Sequence, residues 1–296
     1  MPVFEPKEVR ARVNGIDFVA LEMGEGPLAL CLHGFPDNAH TFRHQMPALA
    51  EAGYRVVSPF MRGYAPTSAA ADGNYQLGAL AHDILGLIDE FGDGSAVVIG
   101  HDWGVLSAYC AAAASGTEKM SKLVAMSIPY GPKFLETYSV DYDQLKRSWY
   151  IHFFQGPLAD LVVPLDRCAF AKRLWEDWSP GWEIPEESIE SVRDTLSAPG
   201  GVEAALGYYR ALMDDSRYDP AFAAAQEAMH VAPIDVPTLY LHGDRDGCMG
   251  SEFSRGMEES FPGGFRRETL SGVGHFMHQE APELINGKIL DFLGKA

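Results

Sequence analysis

The short run 95–99, Ser-Ala-Val-Val-Ile, breaks on Gly100-His101-Asp102-Trp103-Gly104, and a helical pattern restarts at Val105. The two glycines permit a sharp turn and let the following helix pack close to the strand. A strand, a tight turn and a helix with this glycine spacing present the middle side chain at the carboxyl end of a strand, as a nucleophile elbow does. Asp102 is the residue presented. The plainer alternative is a turn aspartate that caps the helix.

The rest of the chain repeats the alternation of short apolar runs with longer helical patterns, which predicts an α/β fold with a mainly parallel sheet. Residues 8–13 and 17–21 read as two strands joined at Asn14-Gly15, a hairpin signal. Further strands are expected at 28–32, 55–60, 95–99, 122–127, 236–241 and 265–270, with helices at 41–51, 78–91, 105–114 and 282–293. The stretch 130–232 departs from the pattern: it is rich in tryptophan, tyrosine and phenylalanine and reads as helices without strands. It is expected to form a helical cap over the strand ends, where open α/β sheets place their sites. The expected division is 1–129 with 233–296 as the core, and 130–232 as the cap.

A carboxylate nucleophile narrows the chemistry. Attack on an sp³ carbon gives an alkyl ester that water can cleave, whereas attack on an acyl carbon gives an anhydride. The electrophile is therefore an epoxide, an alkyl halide or a similar carbon. His33-Gly34-Phe35-Pro36 follows the strand 28–32 and is placed to supply one oxyanion-hole amide from Phe35, beside that of Trp103. A cis Phe35-Pro36 bond would suit such a bend. The second step needs a base for water. His275, in the glycine-rich run Gly272-Val273-Gly274-His275, is best placed; His278 is less so, and His101 should point away from Asp102. An acid must orient the base. Asp246 fits, with Asp244 as its near competitor, because Ser127-Ile128-Pro129 after the sixth strand carries no carboxylate.

Composition excludes several partners. Net charge is −18, from 23 Lys+Arg against 41 Asp+Glu, which disfavours nucleic acid and anionic membrane. No uncharged apolar stretch approaches the roughly 20 residues of a membrane span. Met1 to Pro6 shows no secretory pattern, and the four cysteines show no metal or redox spacing, so a cytoplasmic protein is expected.

Taken together, His33 to Pro36, Arg62-Gly63-Tyr64, Gly100 to Gly104, Gly243 to Asp246 and Gly274-His275-Phe276 resemble the α/β-hydrolase family, and most closely its epoxide hydrolase branch. The resemblance implies a mostly parallel eight-stranded sheet flanked by helices, with the cap inserted after the sixth strand. Tyr150-Ile151-His152-Phe153-Phe154-Gln155 is similar to the cap segment carrying the first of two epoxide-binding tyrosines, which implies that role for Tyr150. Tyr208-Tyr209-Arg210 places the second on Tyr209, with Tyr208 as the alternative. Phe35, Trp103, Phe154 and Trp149 are expected to line an apolar substrate pocket. A small apolar epoxide, no metal or organic cofactor, and a monomer or homodimer follow from the same resemblance. Two stretches depart from the family. Pro59-Phe60-Met61 replaces its usual strand ending, and the run 174–182, with Trp175, Trp178 and Trp182, is atypical and bears on the substrate more than the mechanism.

The rivals differ in their donors. Haloalkane dehalogenases share Gly-His-Asp-Trp-Gly and hold the halide with two polar N–H groups; Trp103 could be one, and Trp149 or Trp175 the second. Fluoroacetate dehalogenases carry an arginine where Trp103 stands. A non-catalytic sensor on the same fold would not need Asp102, Asp246 and His275 together.

Overall fold

The computed structural model describes residues 5–132, 134, 138–229 and 231–295. Met1 to Phe4, read above for a secretory pattern, lie outside the described residues. Strands β1 (Lys7–Val13) and β2 (Ile16–Met23) pair antiparallel across Asn14 (φ 50°) and Gly15 (φ 79°). Two positive φ values are what a two-residue hairpin matched to strand twist requires. The sheet continues with β3 (Leu28–Leu32), β4 (Arg55–Pro59), β5 (Ala96–His101), β6 (Met120–Met126), β7 (Thr238–Gly243) and β8 (Phe265–Leu270). Its order is β1-β2-β4-β3-β5-β6-β7-β8, and all neighbours from β4 to β8 run parallel. Every residue of β3 and β5 is buried, because helices cover both faces of a parallel sheet.

Helix α1 (Gln45–Glu51) starts later than the sequence suggested, after a separate 3-10 turn at Ala39–Phe42. Pro47 explains the break: its ring would clash with the carbonyl four residues earlier, so it is tolerated only in a first turn. Helix α2 (Leu77–Phe91) buries Leu80, Ile84, Leu87, Ile88 and Phe91 along one stripe. Helix α3 (Trp103–Ser115) is alanine-rich and buried over most of its length. It approaches β3 so closely that a Cβ on Gly104 would lie 2.1 Å from the Leu32 carbonyl oxygen.

Among the described residues from 130 to 232 there are helices and no strand: α4 (Tyr142–Arg147), α5 (Trp149–Phe153), α6 (Pro157–Val162), α7 (Leu165–Trp178), α8 (Glu186–Ser197), α9 (Gly201–Met213) and α10 (Ala223–Ala228). They rest on the loops that leave the strands. The Tyr208 hydroxyl donates to the Arg62 carbonyl at 2.8 Å, and the Trp175 indole to the Pro36 carbonyl at 2.8 Å. The loop after β4 is fixed in turn by a buried bidentate pair, Arg62 to Asp83, at 2.6 and 2.8 Å. Helices α11 (Met277–Glu280) and α12 (Pro282–Leu293) follow β8. No helix among the described residues is long and apolar enough to cross a membrane.

Candidate active site

Asp102 sits at φ 51°, ψ −121°, between β5 and α3. A non-glycine residue in that region is strained and is held there by its surroundings. The neighbouring loop comes very near: a Cβ on Gly34 would meet Asp102 Oδ1 at 2.2 Å, so only glycine fits. This lets the Phe35 amide donate to Oδ1 at 2.8 Å, and the Trp103 amide also bonds the carboxylate. Burial pushes the Asp102 carboxyl upward, against the pull of His275 and the two amides. The Phe35-Pro36 bond is cis. His101 turns away from Asp102, its Nε2 meeting the His275 carbonyl oxygen at 3.0 Å.

The loop after β8 brings His275 beside Asp102. His275 Nδ1 meets Asp246 Oδ2 at 2.9 Å, while Nε2 stands 3.8 Å from Asp102 Oδ2, buried and without a hydrogen-bond partner. Asp246 is locked in place: Oδ1 accepts from the Cys248 and Met249 amides at 2.7 and 2.8 Å, and Oδ2 also faces His242 Nε2 at 3.3 Å. Burial alone would raise the Asp246 carboxyl, but His275 and His242 hold it well below the usual carboxylate range. Burial alone would lower His275; Asp246 and then Asp102 outweigh it and hold the imidazole above its ordinary value. The competitor Asp244 faces the other way and accepts from Ser271 Oγ and the Gly272 amide at 2.9 and 2.7 Å.

Above Asp102 lies a cavity of about 370 Å³. Tyr150 and Tyr209 line it, with ring centroids 5.6 Å apart. The Tyr150 hydroxyl has one hydrogen-bond contact among the described residues, Cys248 Sγ at 3.4 Å. The Trp103 indole acts on the Tyr209 hydroxyl yet misses hydrogen-bond geometry, so that hydroxyl stays without a partner. Burial raises both phenols well above their ordinary values, with Cys248 adding for Tyr150 and Asp102 for Tyr209. They therefore remain protonated donors. Tyr208, the alternative, spends its hydroxyl on Arg62.

Three expectations about the pocket are corrected. Trp149 is 46 % exposed and packs outside, against Phe153 and Phe170. On α5 the side that meets the cavity carries Tyr150 and Ile151, which leaves Trp149, about 100° back from Tyr150 and about 200° from Ile151, on the outer side. Phe154 and the Phe35 ring lie edge-on behind Tyr209, at 5.0 and 5.3 Å, and buttress it rather than line the cavity. The lining is instead Leu106, Ile128, Phe134, Tyr138, Met229 and Met249 among others, with Cys248 beside the acid loop. Sequence reasoning missed Cys248, although its place two residues after Asp246 was a signal.

The tryptophan run 174–182 lies behind the catalytic loops and clamps them. The Trp175 indole holds the Phe35-Pro36 loop through the Pro36 carbonyl. The Trp178 carbonyl accepts from the Gly247 and His275 amides at 3.0 and 3.1 Å, tying acid and base loops together. Ser179 Oγ accepts from the Phe276 amide at 3.1 Å and donates to Glu280 Oε1 at 2.6 Å.

An eight-stranded, mostly parallel sheet with an aspartate elbow defines a hydrolase fold, and the family model for the alpha/beta hydrolase fold matches residues 27–282. The chain belongs to the α/β-hydrolase family. Within it, the chain falls in the epoxide hydrolase branch. It is 30% identical to epoxide hydrolase 4 of Mus musculus, over 96% of this chain and 78% of that one. It is 28% identical to epoxide hydrolase A of Mycobacterium tuberculosis, over 97% of each. Among solved structures, a putative epoxide hydrolase from Klebsiella pneumoniae superposes with a TM-score of 0.86 at 26% identity, covering 97% of both chains.

Proposed function

We propose that this enzyme converts an apolar epoxide and water to a vicinal diol through a covalent ester on Asp102. One observation carries the reading: His275 Nε2 is buried and unpartnered, 3.8 Å from Asp102 Oδ2, a gap too long for a hydrogen bond. A serine nucleophile needs the base to remove its proton. A carboxylate does not, so the base is left free to activate water.

Asp102 Oδ2 attacks one epoxide carbon as the carbon–oxygen bond breaks. Tyr150 and Tyr209 lie over the same cavity, and a phenol proton passes to the leaving oxygen. His275, oriented by Asp246, then takes a proton from water, which adds to the ester carbonyl. Charge develops on Oδ1, where the Phe35 amide already points, with the Trp103 amide on the same carboxylate. Collapse releases the diol, and the imidazolium proton returns to the tyrosinate. Residues 130–232 act as the cap that excludes water, over a core of 1–129 and 233–296. The apolar lining favours a neutral hydrocarbon epoxide, and no step calls for a metal or organic cofactor.

The dehalogenase reading lacks its second halide donor. The Trp175 indole is committed to Pro36, and Trp149 faces outward. Four free, buried cysteines fit a reducing compartment, and we place the enzyme in the cytoplasm as a monomer or homodimer. A side-by-side screen of styrene oxide and simple haloalkanes tests the reading. Diol without halide release supports it; halide release without diol overturns it.

A further inference from the structure

Cys248 joins Asp102 and His275 in a second arrangement that hydrolysis does not use. One donor atom from each, a carboxylate oxygen, a thiol sulfur and an imidazole nitrogen, lie within 4.8 Å of one another. All three side chains are buried, yet Asp102 and Cys248 line the cavity, so a small ion can reach them. His275 Nε2 is buried, unpartnered and aimed at Asp102. We propose that these three side chains form an inhibitory site for a soft divalent cation of the zinc and cadmium class.

The donor set suits that class. Zinc takes thiolate, imidazole and carboxylate ligands at about 2.0–2.3 Å, and three protein ligands leave a fourth position open. Here that position faces the cavity. The outer partner is also in place, because Asp246 accepts from His275 Nδ1 at 2.9 Å. A carboxylate behind a ligating histidine fixes the tautomer that leaves Nε2 free to bind. Charge balances as well. Carboxylate and thiolate offset the two charges of the cation, and the imidazole is neutral, so a neutral cluster forms in an apolar cavity. Binding forms a metal–sulfur bond, and the thiol proton goes to solvent. The bound ion occupies both the nucleophile and the base, so both steps of catalysis stop.

The site rests on donor geometry and does not depend on the epoxide reading. The test is titration of the whole protein with cadmium alone, followed by the ultraviolet charge-transfer band of a cadmium thiolate. Wild type should show one equivalent of band. Cys248→Val should show none, although Cys31, Cys110 and Cys168 remain in it. Cys248→Ser keeps the volume and serves if the valine variant misfolds; it too should lose the band. In turnover assays, each variant normalised to its own metal-free rate, either substitution should raise the half-inhibiting zinc concentration by about tenfold or more. No band in wild type, or the same band and zinc response in both variants, overturns the site. A band in a protein that turns over no epoxide leaves the site standing and removes the hydrolase reading instead.

Discussion

His275 Nε2 and Asp102 Oδ2 face each other across 3.8 Å with no hydrogen bond between them. The gap separates the two half-reactions: Asp102 can alkylate without His275, but water cannot be activated without it. His275→Gln should therefore form the ester and fail to release it. Intact-protein mass spectrometry should show a gain equal to one epoxide. A variant that turns over epoxide without ever carrying the adduct would remove His275 from the second step. In a single turnover in ¹⁸O-water, wild type should give unlabelled diol, because the new oxygen is Asp102 Oδ2.

The pH profile follows from the charges around the imidazole. Asp246 and Asp102 outweigh burial and raise His275 above its ordinary value. A base works only when neutral, so activity should rise with pH along a limb that lies above about 6.5. Asp246→Asn removes the larger raising charge and the tautomer control. Its limb should move to lower pH, and its maximal rate should fall by roughly 10³–10⁴. A limb that stays in place would mean that Asp246 does not face His275 in solution.

Much of this arrangement was legible in the sequence, for specific reasons. Glycines that must be glycines flank Asp102 and His275, so local pattern located both. The choice of Asp246 over Asp244 was weaker, because two carboxylates share one turn and only the fold decides which faces His275. The tyrosines came from resemblance alone. Trp149 was misjudged because sequence does not say which neighbour of Tyr150 shares its face: the fold turns Ile151 toward the cavity and leaves Trp149 outside. The role of Trp175 was out of reach, since its partner, the Pro36 carbonyl, lies 139 residues away in sequence.

The two phenols should act jointly. Tyr150 and Tyr209 line one cavity from α5 and α9, and neither hydroxyl has a strong partner of its own. Each single change to phenylalanine should slow ester formation by about 10²–10⁴, the usual worth of a positioned acid. The double variant should show no ester at all in rapid-quench mass spectrometry. Ester formation at the wild-type rate in the double variant would refute their role as proton donors.

Asp37 makes a separate prediction about stability. It is buried beside the His33–Pro36 loop, accepting from Thr41 Oγ1 at 2.6 Å and the Asn38 amide at 2.8 Å. Burial nevertheless pushes its carboxyl up to about 7, and the charge of Asp102 adds to this. Between about pH 4 and pH 7 the folded protein holds a proton that the unfolded chain has released, so stability should fall as pH rises through that window. The effect is at most about 4 kcal/mol. Urea unfolding of wild type and Asp37→Asn from pH 5 to 8 isolates it, because other groups cancel in the difference. The stability of the asparagine variant relative to wild type should increase with pH; a constant difference would contradict the shift.

Trp175 tests whether the clamp behind the site sets the rate. Its indole N–H is the hydrogen-bond partner of the Pro36 carbonyl, one residue from the amide that holds Asp102 Oδ1. Trp175→Phe keeps most of the ring volume but leaves that buried carbonyl unpaired, which should cost about 1–3 kcal/mol of stability. The loop should then hold the Phe35 amide less firmly. Ester formation draws charge off the carboxylate, whereas ester hydrolysis builds charge on Oδ1, so the second step should suffer more. The slowing should stay below the roughly 10²–10³ that outright loss of an oxyanion donor costs. Single-turnover measurements separate the two rates. Accumulating ester would show that the tryptophan run positions the oxyanion hole, while equal slowing of both steps would reduce Trp175 to packing.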